Sequence, residues 1–430
     1  MRMRDFCEKL GLFIGMQGIE DGTNRFIAEM EEGLAGRGSL KMLPAYIDPL
    51  EKPDYTQKVI VVDAGGTNLR IALVSFSGTA QPHIDYFENY PMLGTKGAIS
   101  APEFFDQMAA HIAPVADKAD KIGLCFSFPA QILPSKDAKI LQFTKEVKVS
   151  GAEGLLVGDG ICRALKARGF QGDKAVTVIN DTVAALLGGV ATTRGQAYDG
   201  FIGIILGTGT NTCYIEQNAH VLKDPALAAT KGQTIINLES GGYACAPRTA
   251  IDEAFDAGTD LPGDQMFEKM ISGAYAGALF LDYMKAAASS GCFSAAFAGH
   301  IAALNDLTGR QIDDFCAAPF SGNTLADMIG GSEPDRDALY ALADAFYDRI
   351  AAFITINLAA LLKKAGRGRK PYLPVCISAE GTTFYKARLF RPKLDYYMAR
   401  YVRETLGYHY AFVKAEDATI LGTAAAGLLG

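Results

Sequence analysis

Tryptophan is absent from this chain of 430 residues, and only five histidines are present. The eight cysteines stand singly, without a CxxC pair, and the histidines do not cluster beside them. This pattern excludes a zinc site and a disulfide framework. Several cysteines lie inside apolar segments, where buried thiols are expected.

Clustered positive charge is also lacking. The formal net charge is −7, so nucleic acid is excluded as the main partner. The densest basic spot, GRGRK at 366–370, is expected to form a solvated turn before a strand.

Long apolar runs are missing as well, because no segment approaches the roughly 18 apolar residues that a membrane helix needs. The start of the chain, MRMRDFCEKLGLF, is acidic too early for a signal peptide. We therefore expect a reducing, cytoplasmic location and no membrane partner, in a monomer or a homodimer. The length and an apolar content of 49% predict two domains with large cores.

The segment 59–76, VIVVDAGGTNLRIALVSF, places two apolar strands around a glycine pair. The backbone amides of Gly65 and Gly66 are open to an anion, and Thr67 adds a hydroxyl donor. Asp63 could hold a divalent cation directly or through water. The pattern suggests a phosphate-binding turn, and an ordinary glycine hairpin is the alternative.

A second copy of this pattern occupies 200–216, GFIGIILGTGTNTCYIE. Residues 64–68 align with 207–211, but Leu206 stands where the first copy has its acid. Two related turns, one of them acidic, predict a duplicated domain that closes on one nucleotide from both sides. The alternative is two unrelated hairpins in a glycine-rich chain.

Predicted strands alternate with predicted helices, which indicates an α/β fold with mixed sheets. We predict helix in 1–40, 102–118, 153–168, 182–190, 264–287, 293–304, 337–365, 393–406 and 418–429, and further strands at 121–128, 175–179 and 373–378.

Polar residues interrupt several apolar segments. Asp181 follows the strand at 175–179, where a carboxylate can act as general base, although it could merely cap the next helix. Ser127 either bonds the backbone or faces a ligand. Glu239 either binds a ligand or is a solvated acid in a loop. Gln265 and Glu268 share a helix face, which is either part of a site or exposed to solvent.

The order of these motifs resembles the hexokinase family from about residue 29 to the end. VVDAGGTNLR and LGTGTNTCYIE resemble its two phosphate motifs, CFSFPA and QFTKE its sugar-binding motif, and INDTVAALLGG the segment with the catalytic aspartate. INLESGG and PGDQMFEKMISG resemble further sugar-contact segments, and SAEGTTFYK the adenosine-side motif. KMLPAYI near the start is also similar to the family.

This resemblance implies a two-lobed, duplicated, actin-like (ribonuclease H-like) α/β ATPase fold with a cleft between the lobes. It implies ATP and Mg²⁺ as cofactors and a hexose substrate, most of all D-glucose, with fructose and mannose as alternatives. The implied small lobe is 58–180 plus 416–430, and the large lobe is 1–57 plus 181–415.

The resemblance also assigns roles to individual residues. The general base would be Asp181, and Lys145 would supply positive charge near the reacting oxygens. The hexose pocket would be lined by Ser127, Thr144, Lys145, Asn180, Asp181, Asn211, Glu239, Gln265 and Glu268. Mg–ATP would be bound by Asp63, which holds the metal, and by Gly65, Gly66, Thr67, Asn68, Arg70, Gly207, Thr208, Gly209, Gly381 and Thr382.

Three departures from the family pattern stand out. Ser240 replaces the tryptophan that usually follows the acid of the INLE segment, which affects the shape of the sugar pocket. The adenosine-side segment is 379–382, AEGT, and the last helix starts as ATILG at 418–422. None of these removes a residue proposed for the chemistry.

Two other functions fit parts of the pattern. A catalytically weak sugar sensor could share the scaffold, but it would need neither a base nor a metal ligand. An actin-like or chaperone-type ATPase could use the twin turns, but the sugar-type segments would then have no role. A sensor predicts little ATP-dependent phosphorylation of glucose, whereas an ATPase of the second kind predicts ATP turnover without sugar.

Overall fold

The computed structural model describes residues 1–49, 51, 54–76, 82–143, 147–193 and 196–430. In chain order, the strands of these residues are β1 (Leu43–Pro44), β2 (Val59–Ala64), β3 (Asn68–Phe76), β4 (Pro82–Pro91), β5 (Ile99–Ser100), β6 (Lys121–Phe126), β7 (Ala130–Ile132), β8 (Ala138–Ile140), β9 (Val149–Ser150), β10 (Ala175–Ile179), β11 (Gly200–Leu206), β12 (Thr210–Gln217), β13 (Gln233–Asn237), β14 (Val375–Glu380) and β15 (Tyr410–Val413).

The α-helices of the same residues are α1 (Met3–Leu10), α2 (Gly15–Leu34), α3 (Ala101–Ile112), α4 (Val157–Ala167), α5 (Asp181–Thr192), α6 (Pro225–Ala228), α7 (Ala250–Ala257), α8 (Met266–Ile271), α9 (Gly273–Ser289), α10 (Ala295–Ala303), α11 (Gly309–Ala317), α12 (Thr324–Ile329), α13 (Glu333–Ala365), α14 (Thr382–Lys386), α15 (Phe390–Tyr397) and α16 (Ala418–Leu428). Short 3-10 segments lie at Ala113–Lys118, Asn218–His220 and Ser240–Gly242, and a π-helical stretch follows α15 at Met398–Thr405.

Two mixed sheets repeat one topology. The small-lobe sheet has the order β10-β6-β2-β3-β4, and the large-lobe sheet has the order β1-β13-β12-β11-β14-β15. In each sheet an antiparallel hairpin, β2–β3 or β11–β12, carries another antiparallel strand on one side and two parallel strands on the other. Apart from β1, the two sheets match strand for strand, as the duplicated turns predict.

Helices α5 and α16 form a layer between the sheets. Helix α5 follows β10 of the small-lobe sheet but packs on β11 and β14, whereas α16 follows β15 of the large-lobe sheet but packs on β2 and β6. The two helices cross closely, because a Cβ on Gly188 or Gly422 would meet the backbone of the other helix. Each sheet is thus covered by a helix that follows a strand of the other sheet.

The hydrophobic cores follow from this layering. Helices α3 and α4 cover one face of the small-lobe sheet with residues such as Phe104 and Ile161, and α16 covers the other with Ile420 and Ala424. Helices α2, α9 and α13 bury the far face of the large-lobe sheet. The boundaries of the small lobe, 58–180 plus 416–430, stay a prediction.

Helix α13 corrects one expectation from the sequence. It has 33 residues and a stretch with mean hydropathy 1.4, which is long and apolar enough to cross a membrane. The expectation that no segment approaches this length is therefore wrong. However, 94% of that stretch is buried inside the protein, as in the central helix of a folded core.

Other differences concern breaks inside predicted helices. The region 264–287 is split at Ser272, whose extended backbone separates α8 from α9, and 1–40 contains two helices. Strands β4, β13 and β15 were not predicted. The cysteines in strands, Cys125, Cys213 and Cys376, are buried as expected, whereas Cys245 is exposed.

Candidate active site

The first glycine turn joins β2 to β3. The amide of Gly65 donates to the carbonyl of Asn68 at 3.0 Å, which closes the turn. Within the described part of the chain, the amides of Gly66 and Thr67 make no hydrogen bond, and Thr67 is exposed. Two adjacent amide donors and a hydroxyl are therefore available to an anion.

A row of side chains crosses the small-lobe sheet next to this turn. Cys125, Asp63 and Arg70 are register partners on β6, β2 and β3. Arg70 donates from Nη1 to Oδ2 of Asp63 at 3.0 Å. Burial raises the pKa of Asp63, Arg70 opposes that rise, and the negative charge of Asp181 adds to it. Asp63 is thus a buried carboxylate that gains from a cation.

The second turn joins β11 to β12 and is held by the start of α9. The amide of Gly207 donates to the carbonyl of Gly209 at 2.9 Å. The amides of Gly273 and Ala274, at the start of α9, donate to the carbonyls of Gly207 and Thr208 at 2.7 and 3.0 Å. Among the residues that the structure covers, the amides of Thr208 and Gly209 have no acceptor. This turn repeats the donor pair of the first.

The adenosine-side segment lies directly against the second turn. Gly381 has φ +112°, and a Cβ there would meet the backbone of Leu206 and Gly207. This close approach at an unusual backbone angle requires glycine. Thr382 begins α14, and Thr383 donates its hydroxyl to the carbonyl of Gly207 at 3.0 Å. The structure therefore joins this segment to a phosphate-type turn.

Asp181 stands at the start of α5. The side chain of Asn180 caps this helix by accepting from the amide of Thr182 at 2.8 Å, so Asp181 is the first helical residue. The alternative that Asp181 merely caps the helix is therefore wrong. Its Oδ1 accepts from the hydroxyl of Thr182 at 3.3 Å. The positive end of the helix dipole favours its charged form.

The charge of Asp181 acts on acids of both lobes. After burial, it is one of the causes that raise the pKa of Asp63 on β2 and of Glu239 after β13. The thiol of Cys213 on β12 donates to the carbonyl of Thr182 at 3.1 Å, which fixes the first turn of α5 on the large-lobe sheet. Asp181 is thus close enough to act electrostatically on acids of both sheets.

Glu239 is held by two asparagines. Its Oε1 accepts from Nδ2 of Asn237 at 2.7 Å and from Nδ2 of Asn211 at 3.2 Å. Burial raises the pKa of Glu239, and both amides oppose that rise. Its Oε2 makes no hydrogen bond among the described residues. One carboxylate oxygen therefore remains to accept from a ligand.

Gln265 and Glu268 pack against the loop that follows Glu239. A Cβ on Gly241 would approach Oε1 of Gln265 and Cβ of Glu268, so these elements are in close contact. Oε2 of Glu268 accepts from the amide of Thr210 at 2.8 Å, which ties α8 to the second turn. Glu239 and Gln265 both have left-handed backbone, with φ of 56° and 49°. Such strain clusters at functional sites.

Three further residues were predicted to line the hexose pocket: Ser127, Thr144 and Lys145. Ser127 follows β6, where its amide donates to the carbonyl of Ala64 at 3.1 Å and its hydroxyl lies 3.9 Å from the Cys125 sulfur. It therefore adjoins the first turn. Thr144 and Lys145 lie outside the described residues.

Two contributors were missed from the sequence, and a third residue, Ser240, was noted only as a departure from the family pattern. Asn237 ends the apolar strand β13, and a polar residue at a strand end was the available signal. Gly273 supports the second turn only because α9 folds onto it. Ser240 is fully buried, and its amide donates to Oδ1 of Asn211 at 3.2 Å. Asn211 therefore shapes the acidic loop as well as holding Glu239.

The donor set fits a nucleotide phosphate chain and one divalent cation. Each turn offers two amides to phosphate oxygens, and Asp63 offers one buried carboxylate. No group of three or more metal-ligating side chains occurs in the described ranges. Mg²⁺ suits this arrangement, since it commonly takes one or two carboxylates and completes its shell with phosphates and water.

Comparison with protein families decides the assignment. Two family models, both described as hexokinase, match residues 3–190 and 201–429. The chain belongs to the hexokinase family. Hexokinase-1 of Nicotiana tabacum is 29% identical over 395 residues, which cover 85% of this chain and 77% of the tobacco protein. The Hexokinase-like 1 protein of Arabidopsis thaliana is 27% identical over 437 residues, which cover 94% of this chain and 87% of that protein.

A solved structure supports the same fold. The hexokinase from Schistosoma mansoni complexed with glucose matches with a TM-score of 0.76 and 24% identity, covering 100% of both chains. The expected two-lobed, actin-like α/β sugar-kinase fold is confirmed for this hexokinase-family chain. Membership of the family also identifies a hexose kinase as the class of activity.

Proposed function

We propose that this protein transfers the γ-phosphate of ATP to the 6-hydroxyl of a hexose, with D-glucose as the preferred substrate. The observation that carries the proposal is the position of Asp181. It is the first residue of α5, and its charge acts on Asp63 of the small-lobe sheet and on Glu239 after β13 of the large-lobe sheet. A base at this point can reach an acceptor alcohol that faces the phosphate chain.

Sugar binding follows from the acids and amides of the large lobe. Hexose hydroxyls both donate and accept, so they suit a mixed set of carboxylates and amides. Oε2 of Glu239 can accept from one hydroxyl while Asn211 and Asn237 hold its other oxygen. Because these partners fix the rotamer before binding, little side-chain entropy is lost when the sugar arrives.

Nucleotide binding uses the two turns. The amides of Gly66 and Thr67 and those of Thr208 and Gly209 would bind phosphate oxygens from opposite sides, and Gly381 and Thr382 would adjoin the nucleoside. Asp63 would hold Mg²⁺, directly or through water. When bound, the cation supplies positive charge that neutralises the phosphate oxygens.

Proton transfer falls to Asp181. The positive end of the α5 dipole stabilises its carboxylate form, which can take the proton of the 6-hydroxyl as the hydroxyl oxygen attacks the γ-phosphorus. Most of the remaining acceleration would come from positioning and electrostatic stabilisation. Lys145 would add positive charge near the reacting oxygens.

Closure of the lobes would exclude water, which competes with the sugar for the phosphoryl group. The crossing of α5 and α16 suits such a motion, because each helix follows a strand of one sheet and packs on the other sheet. A rotation at this crossing would move Asp63 and the first turn relative to Glu239.

The family relatives support this proposal. The tobacco and Arabidopsis proteins are named for hexokinases, and the Schistosoma enzyme is named as a complex with glucose. A catalytically weak sugar sensor is the second candidate, since the Arabidopsis protein is named only as hexokinase-like. The presence of both Asp181 and Asp63 favours an enzyme, because a sensor needs neither a base nor a metal ligand.

A panel of sugars with Mg–ATP tests the proposal. We expect formation of glucose 6-phosphate and of ADP in equal amounts, with mannose and fructose used as alternative substrates. 6-Deoxyglucose is the matched control, because it keeps the other hydroxyls but lacks the acceptor. Sugar binding without phosphoryl transfer would support the sensor, and ATP turnover that ignores sugar would contradict both candidates.

A further inference from the structure

A buried lysine lies next to the proposed sugar ligand Glu268. Lys269 on α8 is only 4% exposed. We propose that Lys269 is a positioning residue for the hexose pocket, which it serves by anchoring the loop 258–265 and thereby placing Gln265 and Glu268. This inference rests on the proposed function and names a specific device within the same site.

The ammonium group of Lys269 joins three pieces of the chain. Its Nζ donates to Oδ1 of Asp256, near the end of α7, at 2.5 Å and to the carbonyl of Leu261 at 2.6 Å. The other oxygen of Asp256, Oδ2, accepts from the amide of Gly263 at 2.8 Å. The pair therefore holds the loop at two points, four and six residues after the end of the helix.

The loop is otherwise held by short-range hydrogen bonds, from the amide and hydroxyl of Thr259 to the carbonyl of Asp256 at 3.0 and 2.8 Å and from the amide of Asp264 to the carbonyl of Leu261 at 3.3 Å. Residues 260–264 are exposed, and the side chain of Leu261 is 63% exposed, so apolar packing does not hold the loop in place. Immediately after the loop, Gln265 has the left-handed φ of 49°, which costs free energy and needs support from its surroundings. The ion pair of Lys269 and Asp256 supplies that support.

The same lysine acts on Glu268 through α8. This helix has only six residues, and the amide of Lys269 donates to the carbonyl of Gln265 at 3.0 Å. A shift of Lys269 would therefore move both neighbours together. Glu268 must stay within reach of the amide of Thr210, so the lysine also fixes α8 relative to the second turn.

A buried ion pair of this kind is poorly explained by stability alone. Taking two charges out of water costs more than their attraction commonly returns, and apolar replacements of both partners are often neutral or stabilising. The hydrogen bonds to the Leu261 carbonyl and from the Gly263 amide give the pair a local, directional role. Placement of the sugar ligands is the function that this geometry can serve.

The test uses the full chain and four proteins: wild type, Lys269→Met, the double variant Asp256→Asn/Lys269→Met, and Lys174→Met. Lys174 is the matched control, because its Nζ also donates to two carbonyls, of Ala116 and Ala119 at 2.7 and 2.8 Å, and its side chain is 5% exposed. It lies in the small lobe, away from α8. Hexose KM, ATP KM and hexose Kd by calorimetry are measured with unfolding midpoints.

We expect Lys269→Met to raise the hexose KM and Kd about tenfold or more, the loss that follows from misplacing one charge-assisted hydrogen bond. The ATP KM should stay within about twofold. The double variant should recover stability but keep the raised hexose KM. Lys174→Met should lose stability without changing the hexose KM. A purely structural role predicts that hexose KM follows stability across all variants.

Two failures are distinguishable. An active wild type whose hexose KM and Kd are unchanged by Lys269→Met would overturn this inference and leave the proposed function standing. A wild type that neither phosphorylates nor binds the hexoses of the panel would overturn the proposed function, and this inference with it.

Discussion

The crossing of α5 and α16 at Gly422 makes a quantitative prediction for Gly422→Ala. A Cβ at this position would lie 2.6 Å from the amide nitrogen of Gly188 and 2.8 Å from the carbonyl carbon of Ala184. Both atoms are backbone atoms of α5, so no side chain can rotate away. The carbonyl oxygen of Ala184 would lie closer still, so the helices must separate by about 1.5 Å to reach ordinary contact distances.

The expected cost follows from two opposing effects. Overpacking of a tight core costs about 1–3 kcal/mol, and the rigid backbone contact places this site near the upper end. Replacement of glycine by alanine inside a helix gains about 1 kcal/mol of helix propensity. The net loss should therefore be about 2 kcal/mol of unfolding free energy.

Gly299→Ala is the matched control. Gly299 lies inside α10, is exposed, and has nothing within 4 Å of the position that its Cβ would take. This variant should be stabilised by about 0.5–1 kcal/mol. Urea unfolding followed by far-ultraviolet circular dichroism measures both variants, since indole fluorescence is not available in a chain without tryptophan. If Gly422→Ala were as stable as Gly299→Ala, the close crossing of the two helices would be refuted.

The remaining predictions concern two acids of the site. Asp63→Ala should mainly raise the KM for Mg–ATP, and a change confined to the hexose KM would contradict its place beside the phosphates. Glu239→Gln should raise the hexose KM about tenfold or more in steady-state assays. The same variant should be more stable than wild type at neutral pH, because burial and Asp181 raise the pKa of Glu239. With Glu239, the protein loses stability as the pH rises through this raised pKa, because the buried carboxyl must then become charged. Glutamine does not titrate, so the variant should not show this loss when urea unfolding is measured at several pH values.

Much of the fold could be predicted because local patterns and tertiary structure agree. The two hairpins needed only apolar strands and glycine turns, and their repetition predicted the matching sheets. Asp181 could be singled out because it follows a short apolar strand. In contrast, β4 alternates partly exposed and exposed residues, so its sequence carries no apolar signal.

The site was harder to predict where long-range packing sets the conformation. The left-handed backbone of Glu239 and Gln265 depends on neighbours such as Gly241, which admits Gln265 only because it lacks a Cβ. The role of Asn237 depends on its pairing across the sheet with Cys213, two residues from Asn211. The split between α8 and α9 depends on the second turn, whose carbonyls accept the first amides of α9.

The packing of α5 and α16, each on the sheet that it does not follow, could also not be predicted from local patterns. Helix α5 is apolar on nearly all sides, and a periodicity argument cannot tell which sheet it covers. In the structure, Gly188 and Gly422 lie at the crossing, where a Cβ on either would meet the backbone of the other helix.

The most direct measurement for the whole account is the turnover of Asp181→Asn with saturating glucose and Mg–ATP, combined with calorimetric glucose binding. The substitution keeps the size of the side chain but removes its ability to accept the proton. We expect kcat to fall by about 10²–10⁴ while glucose still binds. Turnover close to that of the wild type would contradict the assignment of Asp181 as the general base.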